Sequence, residues 1–385
     1  MLGILVAVLA TVPTQDAIQR KVTLPNGVGV FVEESKKETG FLLHLFVATG
    51  GAPEAEGQRG EHHLLEHLVA RGPDGDLSKQ LELRGMYLSA DTLRDGIRFE
   101  IEGPSDQLDY AVHAMREVMK PPVVTADEIK REAGVIAQED AVRSRASRIS
   151  AALWDQGFGA GVSDPVGVVA DIEKVTPERI QEVHKELFQP KAMTVVVVGN
   201  VDVIKASTVI AEVFGSIEGD GEPAMVPRKP VEQTKEGFAP GVAGSGVGVY
   251  VGSFGKQDTL AVIAAAFALA GETPGAQAVY TPTPNGGLVS VVYQRRKDVD
   301  DTDNTIKMQG ARLYGNGRAT LLQWLDTADR SEREKARMYG QMMTFEKYFR
   351  LQDIRERATE ITRSDFAAAL NKFLTANSVR VGGAR

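Results

Sequence analysis

The segment Gly60 to His67 (GEHHLLEH) constrains the fold most, because it holds three of the six histidines of the chain at a spacing that suits a helix. Residues four apart on a helix share one face, so His63 and His67 point the same way, one turn apart. Two imidazoles in that geometry can bind one zinc ion. Glu66 lies three residues after His63 on the same edge, where a carboxylate can act as general base toward a water at the metal. The sequence therefore predicts a helix that carries a metal centre.

The pattern His63-x-x-Glu66-His67 also occurs by chance, as histidines on a solvated helix, so it needs a third ligand to become a site. Residues 125–150 are predicted as one long helix that begins with a capping box at Thr125 and Glu128. Glu132 and Glu139 are seven residues apart on one face of it. One glutamate could bind zinc and the other could support the site. The alternative is two ordinary solvent-facing glutamates.

The sequence around these residues resembles the pitrilysin-type metallopeptidases, which include insulin-degrading enzyme and the mitochondrial processing peptidase. The resemblance is clear over roughly residues 20–215 and weak over the remainder. Its motifs follow the order of that family and comprise Leu24 to Val28, Phe46 to Gly51, Glu54, Gly57 to His67, Gly72, Gly85 to Phe99, Glu132 to Glu139, and Val195 to Asp202.

This resemblance implies zinc bound by His63, His67 and Glu139, with Glu66 as general base and Glu132 as a supporting carboxylate. It also implies an edge strand that pairs with the backbone of a peptide substrate. The residues at that place are Ser89, Ala90, Asp91 and Thr92, where the family often has Asn-Ala-x-Thr. Because Ser89 replaces the asparagine, a side-chain role at that position is not implied. His62 is expected to be a packed or exposed helix residue outside the ligand set.

The chain length of 385 residues suits two domains, and the alternation of strands with helices indicates an α+β fold. The resemblance implies two homologous domains, each a mixed or antiparallel sheet packed with helices. The expected division is a signal or N-terminal segment at 1–17, a metal-binding domain at 18–216, a linker at 217–245, and a second domain without a metal site at 246–385.

Composition excludes several classes of function. The chain has no cysteine, which excludes disulfides, thiol catalysis and cysteine-ligated metals. The net charge is −8 and the basic residues are dispersed, which argues against a nucleic-acid partner. Residues 1–12 are apolar but too short to span a bilayer. They resemble a signal peptide with a cleavage site at Val8-Leu9-Ala10, which favours a periplasmic or secreted protein over a cytoplasmic one.

The second half is predicted to repeat the first in outline, with strands that include 305–309 and long helices near 319–349 and 353–374. Relatives carry an Arg followed by a Tyr seven residues later in this half, near the reacting carbonyl. No Arg-x6-Tyr pattern occurs in this chain; Tyr314 and Arg318 are only candidates. This absence predicts that another chain supplies those groups, in a heterodimer with a sister subunit or a homodimer.

Two principal functions follow. The first is a zinc endopeptidase that cleaves peptides or unfolded segments inside a closed chamber of four such domains. The second is a non-catalytic structural or assembly subunit, although subunits of that kind typically have damaged zinc motifs and this ligand set is complete. Hydrolysis of a small non-peptide ester or amide also stays open.

Overall fold

The computed structural model describes residues 18–36, 39–49, 54–158, 164–221, 236–239, 243–283, 286–345, 349–375 and 377–383. The predicted signal segment 1–17 and most of the predicted linker lie outside these ranges. The strands are β1 (Gln19–Thr23), β2 (Gly29–Glu34), β3 (Gly40–Ala48), β4 (Tyr87–Leu93), β5 (Gly96–Pro104), β6 (Met193–Gly199), β7 (Glu236–Ala239), β8 (Ser245–Val251), β9 (Gln277–Thr283), β10 (Gly286–Tyr293) and β11 (Val379–Gly383).

The helices surround two sheets. They are α1 (Glu61–Ala70), α2 (Leu77–Glu82), α3 (Leu108–Val118), α4 (Ala126–Val142), α5 (Arg145–Phe158), α6 (Val169–Ile172), α7 (Pro177–Leu187), α8 (Val203–Gly215), α9 (Gln257–Gly271), α10 (Arg296–Asp300), α11 (Thr302–Arg330), α12 (Glu332–Phe345), α13 (Leu351–Thr359) and α14 (Arg363–Asn371).

The two sheets share one topology. The first has the strand order β1-β2-β6-β3-β5-β4, and the second has the order β7-β11-β8-β10-β9. In each sheet one pair is parallel, β2 with β6 and β7 with β11. From that pair onward in each strand order, through β3 and β5 to β4 and through β8 and β10 to β9, each described strand pairs with the next one antiparallel. The second sheet therefore repeats five strands of the first, which confirms the predicted α+β fold with two homologous domains.

Alternation along β3 divides the first sheet into a front and a back face. Leu43, Leu45 and Val47 point to the front, into the core shared with α1, α3, α7 and α8. His44 and Phe46 point to the back, where α12 from the second half of the chain packs. The front face thus supports the metal helix, and the back face joins the two halves.

In the second half, α9 covers one face of its sheet and α5 covers the other. Leu153 and Trp154 of α5 form a small core with Leu288, Val292 and Val381. Helix α5 follows the glutamate helix α4 after two residues. The helix that carries Glu132 and Glu139 is therefore connected directly to the helix that covers the second sheet.

Several local predictions are wrong. The single helix over 125–150 is two helices, because Arg143 adopts an extended ψ of 135° and bonds Asp164 across the break. Residues 305–309 are part of α11 and not a strand. Ile306 and Leu313 are buried while Met308 is exposed, which is a helical and not an alternating pattern.

Other boundaries also differ. The helix predicted near 319–349 ends at Arg330 and restarts at Glu332, and the one near 353–374 is interrupted before Thr362, which forms a capping box with Asp365. Strand β9 was not predicted, and β7 lies inside the stretch predicted as a linker. Within the described part of the chain, no helix is both long enough and apolar enough to cross a bilayer.

Candidate metal centre

Helix α1 starts at a glycine and is capped from a distance. Gly60 has a φ of 103°, a left-handed conformation that favours glycine. No side chain at that position caps the helix; instead, the Glu54 carboxylate accepts from the backbone N–H groups of Gly60 and His62, both at 2.9 Å. A carboxylate there satisfies otherwise unpaired donors and favours the positive end of the helix dipole. Glu54 therefore fixes where the metal helix begins.

The apolar side of α1 orients the histidines. Leu64, Leu65 and Leu68 are buried in the front core, which turns His63 and His67 toward α4. Their Nε2 atoms are 3.2 Å apart. Both rings are mostly buried, so the surrounding side chains restrict the rotation of each ring, and the helix keeps both residues on the same face.

Glu139 of α4 closes a triangle with the two imidazoles. Its Oε2 lies 3.3 Å from His63 Nε2 and 3.6 Å from His67 Nε2. Ligands bound at about 2.0–2.2 Å with tetrahedral angles are separated by about 3.3–3.6 Å. The three atoms therefore have the spacing of a tetrahedral zinc site with one position left for a further ligand.

Glu66 also belongs to the cluster, and its ligand atom together with those of His63 and His67 lies within 4.8 Å. Its Oε2 is 4.0 Å from His63 Nε2, farther than the carboxylate of Glu139. Because Glu139 approaches both nitrogens closely, its geometry fits a ligand better than that of Glu66.

Partners at the other ring nitrogens leave Nε2 of each imidazole free to bind a metal. His63 Nδ1 is 3.2 Å from the carbonyl of Val166, and His67 Nδ1 is 3.4 Å from Glu132 Oε2. A proton on Nδ1 donates to these oxygens and leaves the Nε2 lone pair available. Burial lowers the pKa of His63, against the opposing effect of its bond to Val166, and so favours the neutral imidazole.

Two further contacts hold this outer layer. Arg71 donates to Glu132 Oε1 at 3.1 Å and to Glu128 at 2.9 Å, which ties the end of α1 to α4. The loop that carries Val166 is seated against the start of α1, where the N–H of Val168 donates to the carbonyl of Arg59 at 3.0 Å. The ring orientations therefore depend on segments about 65 and 100 residues away in the chain.

Glu66 is buried on the side of α1 that faces β4. The Thr92 hydroxyl donates to Glu66 Oε2 at 3.2 Å. Among protein groups alone, burial raises the pKa of Glu66 to about 8, against the opposing effect of the Thr92 bond. A carboxyl with a raised pKa is a suitable proton acceptor near neutral pH, and a divalent cation beside it favours the ionised form.

Strand β4 lies at the edge of the first sheet, next to the metal helix. Thr92 and Ala90 face α1, since Thr92 reaches Glu66 and side chains alternate along a strand. Ser89 and Asp91 therefore face the opposite side, where Asp91 pairs with Arg98. The four predicted substrate-binding residues thus share an open backbone edge, but only two of their side chains point toward the metal helix.

The outer layer of the site was predicted only in part: Glu132 was expected as a supporting carboxylate, whereas Val166 and Arg71 were not. The Val166 contact is made by a backbone carbonyl, which leaves no signal in the sequence, whereas Arg71 sits one turn after His67 and could have been considered. The candidates Tyr314 and Arg318 are engaged elsewhere in the second half: they donate to the carbonyls of Ile361 and Thr359. The structure does not bring either of them to the cluster of His63, His67 and Glu139.

Comparisons with known proteins agree with this picture. Residues 30–162 match the family described as insulinase (peptidase family M16), and residues 174–240 match the peptidase M16 inactive domain. The chain is 28% identical over 215 residues to the zinc protease PqqE of Helicobacter pylori, covering 53% of this chain and 48% of that protein. It is 23% identical over 238 residues to mitochondrial-processing peptidase subunit beta of Saccharomyces cerevisiae, covering 58% and 50%.

Two solved structures have the same fold. A protease from Helicobacter pylori superposes with a TM-score of 0.77 at 19% identity over 96% of this chain and 100% of that one. A peptidase M16 inactive domain from Pseudomonas fluorescens superposes with a TM-score of 0.78 at 18% identity over 96% and 98%. The chain spans about half the length of the curated relatives that it matches.

Proposed function

Because the chain belongs to the insulinase family of peptidases (M16), the pitrilysin-type family that its sequence resembles, we propose that it is a zinc-dependent endopeptidase. The observation that carries the proposal is the triangle of His63 Nε2, His67 Nε2 and Glu139 Oε2, with separations of 3.2, 3.3 and 3.6 Å. Its substrates are peptides or unfolded polypeptide segments.

In this proposal His63, His67 and Glu139 hold the zinc ion, and Glu132 holds the ring of His67. When bound, zinc polarises a peptide carbonyl and lowers the pKa of a water. Glu66 takes a proton from the attacking water and passes it to the leaving amine. Its hydrogen bond from Thr92 keeps the carboxylate oriented toward the reacting groups.

The open edge of β4 binds the substrate as an added strand. Backbone hydrogen bonds from residues 87–93 hold the peptide extended, without selecting particular side chains. A peptide must be unfolded over several residues to pair in this way, so the geometry favours flexible segments over folded loops.

A partner completes the enzyme in this proposal. The described residues of the second half bring no arginine and tyrosine pair to the metal centre, and the chain supplies two of the four domains expected of a closed chamber. We infer a heterodimer with a sister subunit or a homodimer. Location in the periplasm or outside the cell stays a prediction, since the segment on which it rests lies outside the described residues.

The second candidate is a non-catalytic subunit of such a peptidase, favoured by the missing arginine and tyrosine pair. The complete set of His63, Glu66, His67 and Glu139 argues for the catalytic role. Hydrolysis of a small non-peptide substrate is disfavoured by the open strand edge beside Thr92.

Metal analysis together with cleavage of a quenched peptide library tests the proposal, with the chain compared to its Glu66→Gln variant. We expect one zinc per chain in both proteins and cleavage only in the wild type. Zinc without cleavage, even after the sister subunit is added, would support the non-catalytic role. A chain that binds no zinc would refute the site.

A further inference from the structure

A cluster of charged residues lies buried between the two halves of the chain, away from the metal centre. Strand β5 places Arg98, Glu100 and Glu102 on the back face of the first sheet, opposite Phe46, His44 and Leu42 of β3. Helix α12 from the second half covers this face. Glu100 is 2% exposed and Arg98 is 7% exposed, so both charges depend on neighbouring groups for stabilisation.

Glu100 is the centre of this cluster. Its two carboxylate oxygens bind Arg333 and Arg337, which are one helical turn apart on α12; the contact with Arg337 is 3.4 Å. Arg333 also binds Glu102, and Arg98 binds Asp91 on the edge strand. A single buried carboxylate of the first sheet therefore holds two cations of the second half.

A second buried ion pair crosses the same interface. Lys335 Nζ lies 2.7 Å from Glu33 Oε1, and the two residues are 7% and 1% exposed. Lys335 lies between Arg333 and Arg337 in the sequence of α12. Every second residue from Arg333 to Arg337 thus binds a carboxylate of the first sheet.

His44 is the titratable group enclosed by this cluster. It is 0% exposed, and its Nε2 lies 3.5 Å from Glu100 Oε2. Neither ring nitrogen has a hydrogen-bond partner among the residues that the structure describes. Its neighbour on β6, Val196, is apolar and buried. The imidazole is therefore packed as a neutral ring, stacked on Phe46 with centroids 5.9 Å apart.

The groups around His44 make its protonation unfavourable. The charged residues that face it are Arg98 and Glu100 from β5, and Arg333 and Arg337 from α12, with Glu334 paired to Arg337 on the solvent side. Glu100 is already bound by two guanidinium groups, so a charged imidazole adds a cation that has no carboxylate of its own. Burial, followed by Arg98, Arg337 and Arg333, lowers the pKa of His44 well below 6.5.

We propose that His44, Glu100, Arg333 and Arg337 form an acid-released clasp, in which protonation of His44 separates α12 from the back face of the first sheet. The clasp holds the two halves in one arrangement near neutral pH. In acid they move apart only as far as the apolar core that they share allows, which contains Phe31 and Val196 of the first sheet and Tyr339 of α12. Asp91 on the edge strand β4 is connected to the same cluster through its ion pair with Arg98. Opening of the clasp therefore also changes the position of β4.

The absence of cysteine allows a direct test with two spin labels. Leu83→Cys and Met308→Cys place labels in the two halves at positions that are 80% and 84% exposed. Distances between the labels are measured from pH 7.5 to pH 4.5 at constant ionic strength, with far-ultraviolet circular dichroism on the same samples. We expect one distance population at pH 7.5, and a second, longer one below pH 6.5 while the dichroism is unchanged.

The His44→Leu variant should stay closed to a pH lower by about one unit or more, since the group that binds the proton is gone. The His113→Leu variant, changed on the exposed face of α3, should behave like the wild type. Glu100→Gln should show the longer population already at pH 7.5, because Arg333 and Arg337 lose their shared carboxylate.

The proposal is overturned if no new population appears before the dichroism falls, or if His44→Leu opens at the same pH as the wild type. It is also overturned if Glu100→Gln stays closed at pH 7.5, and this variant decides the matter should His44→Leu fail to fold.

Discussion

The carboxylate of Glu132 should set how tightly the candidate site binds zinc, although it is not one of the three proposed ligands. Its Oε2 accepts from His67 Nδ1 at 3.4 Å, and its Oε1 accepts from Arg71 at 3.1 Å. A carboxylate behind an imidazole fixes the tautomer and makes the ring a better donor. Glu132→Gln keeps the shape and an acceptor oxygen but removes the charge.

The contacts determine the expected magnitude. Loss of such an outer partner typically weakens metal binding by about 10- to 100-fold, or about 1.4–2.7 kcal/mol. Arg71 keeps its second partner, Glu128, at 2.9 Å. Arg131, the other cation on Glu132, is 61% exposed and solvated, so Glu132→Gln leaves neither cation buried without a partner. We therefore expect about a 10-fold loss for Glu132→Gln and nearer 100-fold for Glu132→Ala, which also removes the acceptor for His67.

Zinc affinity is measured by competition with a chromophoric chelator at fixed pH, and thermal unfolding confirms that each variant is folded. Glu128→Gln is the matched control. It removes a carboxylate that binds the same arginine, Arg71, and it retains a residue that can cap α4, but Glu128 does not contact His67. The reasoning is refuted if Glu132→Gln binds zinc as the wild type does, or if Glu128→Gln loses as much affinity.

Three further predictions concern stability. Gly340→Ala should destabilise the fold by about 1–3 kcal/mol, because a Cβ there would lie 2.0 Å from Phe46 Cε2. Gly315→Ala in α11 has no heavy atom within 4 Å of its Cβ and should stabilise by about 0.5–1 kcal/mol; urea unfolding gives both values, and equal effects would contradict the packing argument. Burial lowers the pKa of His184, against the opposing effect of its bond to the Met119 carbonyl. The neutral imidazole therefore contributes to the free energy of unfolding above pH 6.5, and this contribution is lost as the pH falls. His184→Leu should therefore flatten the decline of unfolding free energy below pH 6.5 by up to about 1.4 kcal/mol per pH unit, and an unchanged slope would refute this.

The metal helix and the glutamate helix were predictable because each is specified locally. His63, Glu66 and His67 are within one turn of each other, and Thr125 with Glu128 forms the predicted capping box in both directions. The seven-residue spacing of Glu132 and Glu139 needs only helical periodicity. The break at Arg143 was not predictable in this way, because the bond to Asp164 spans 21 residues.

The back face of the first sheet was not predictable for a related reason. Arg98, Glu100 and Glu102 alternate along β5 as charges do on a solvated strand face. The partners of Glu100 and Glu102, which are Arg333 and Arg337, are more than 230 residues away. Only the packing of α12 turns that face into an interior. The strand predicted at 305–309 is wrong because Ile306 and Met308 alternate as apolar residues do on a strand, yet only Ile306 lies on the buried face of α11, which continues at Leu313.

The repeated topology places α9 in the second half where α1 stands in the first. Helix α1 lies between β3 and β4 in the chain, and α9 lies between the corresponding strands β8 and β9. The two positions have opposite surroundings. Helix α9 packs against α11, α13 and α14 as well as its own sheet, and nearly every side chain from Thr259 to Leu269 is buried. Histidines introduced there would face buried alanine and leucine side chains, not a glutamate such as Glu139 of α4. The different surroundings of α1 and α9 thus follow from the way the helices of each half stack, and a metal site at α9 would require removal of the layer formed by α11, α13 and α14, not a few substitutions.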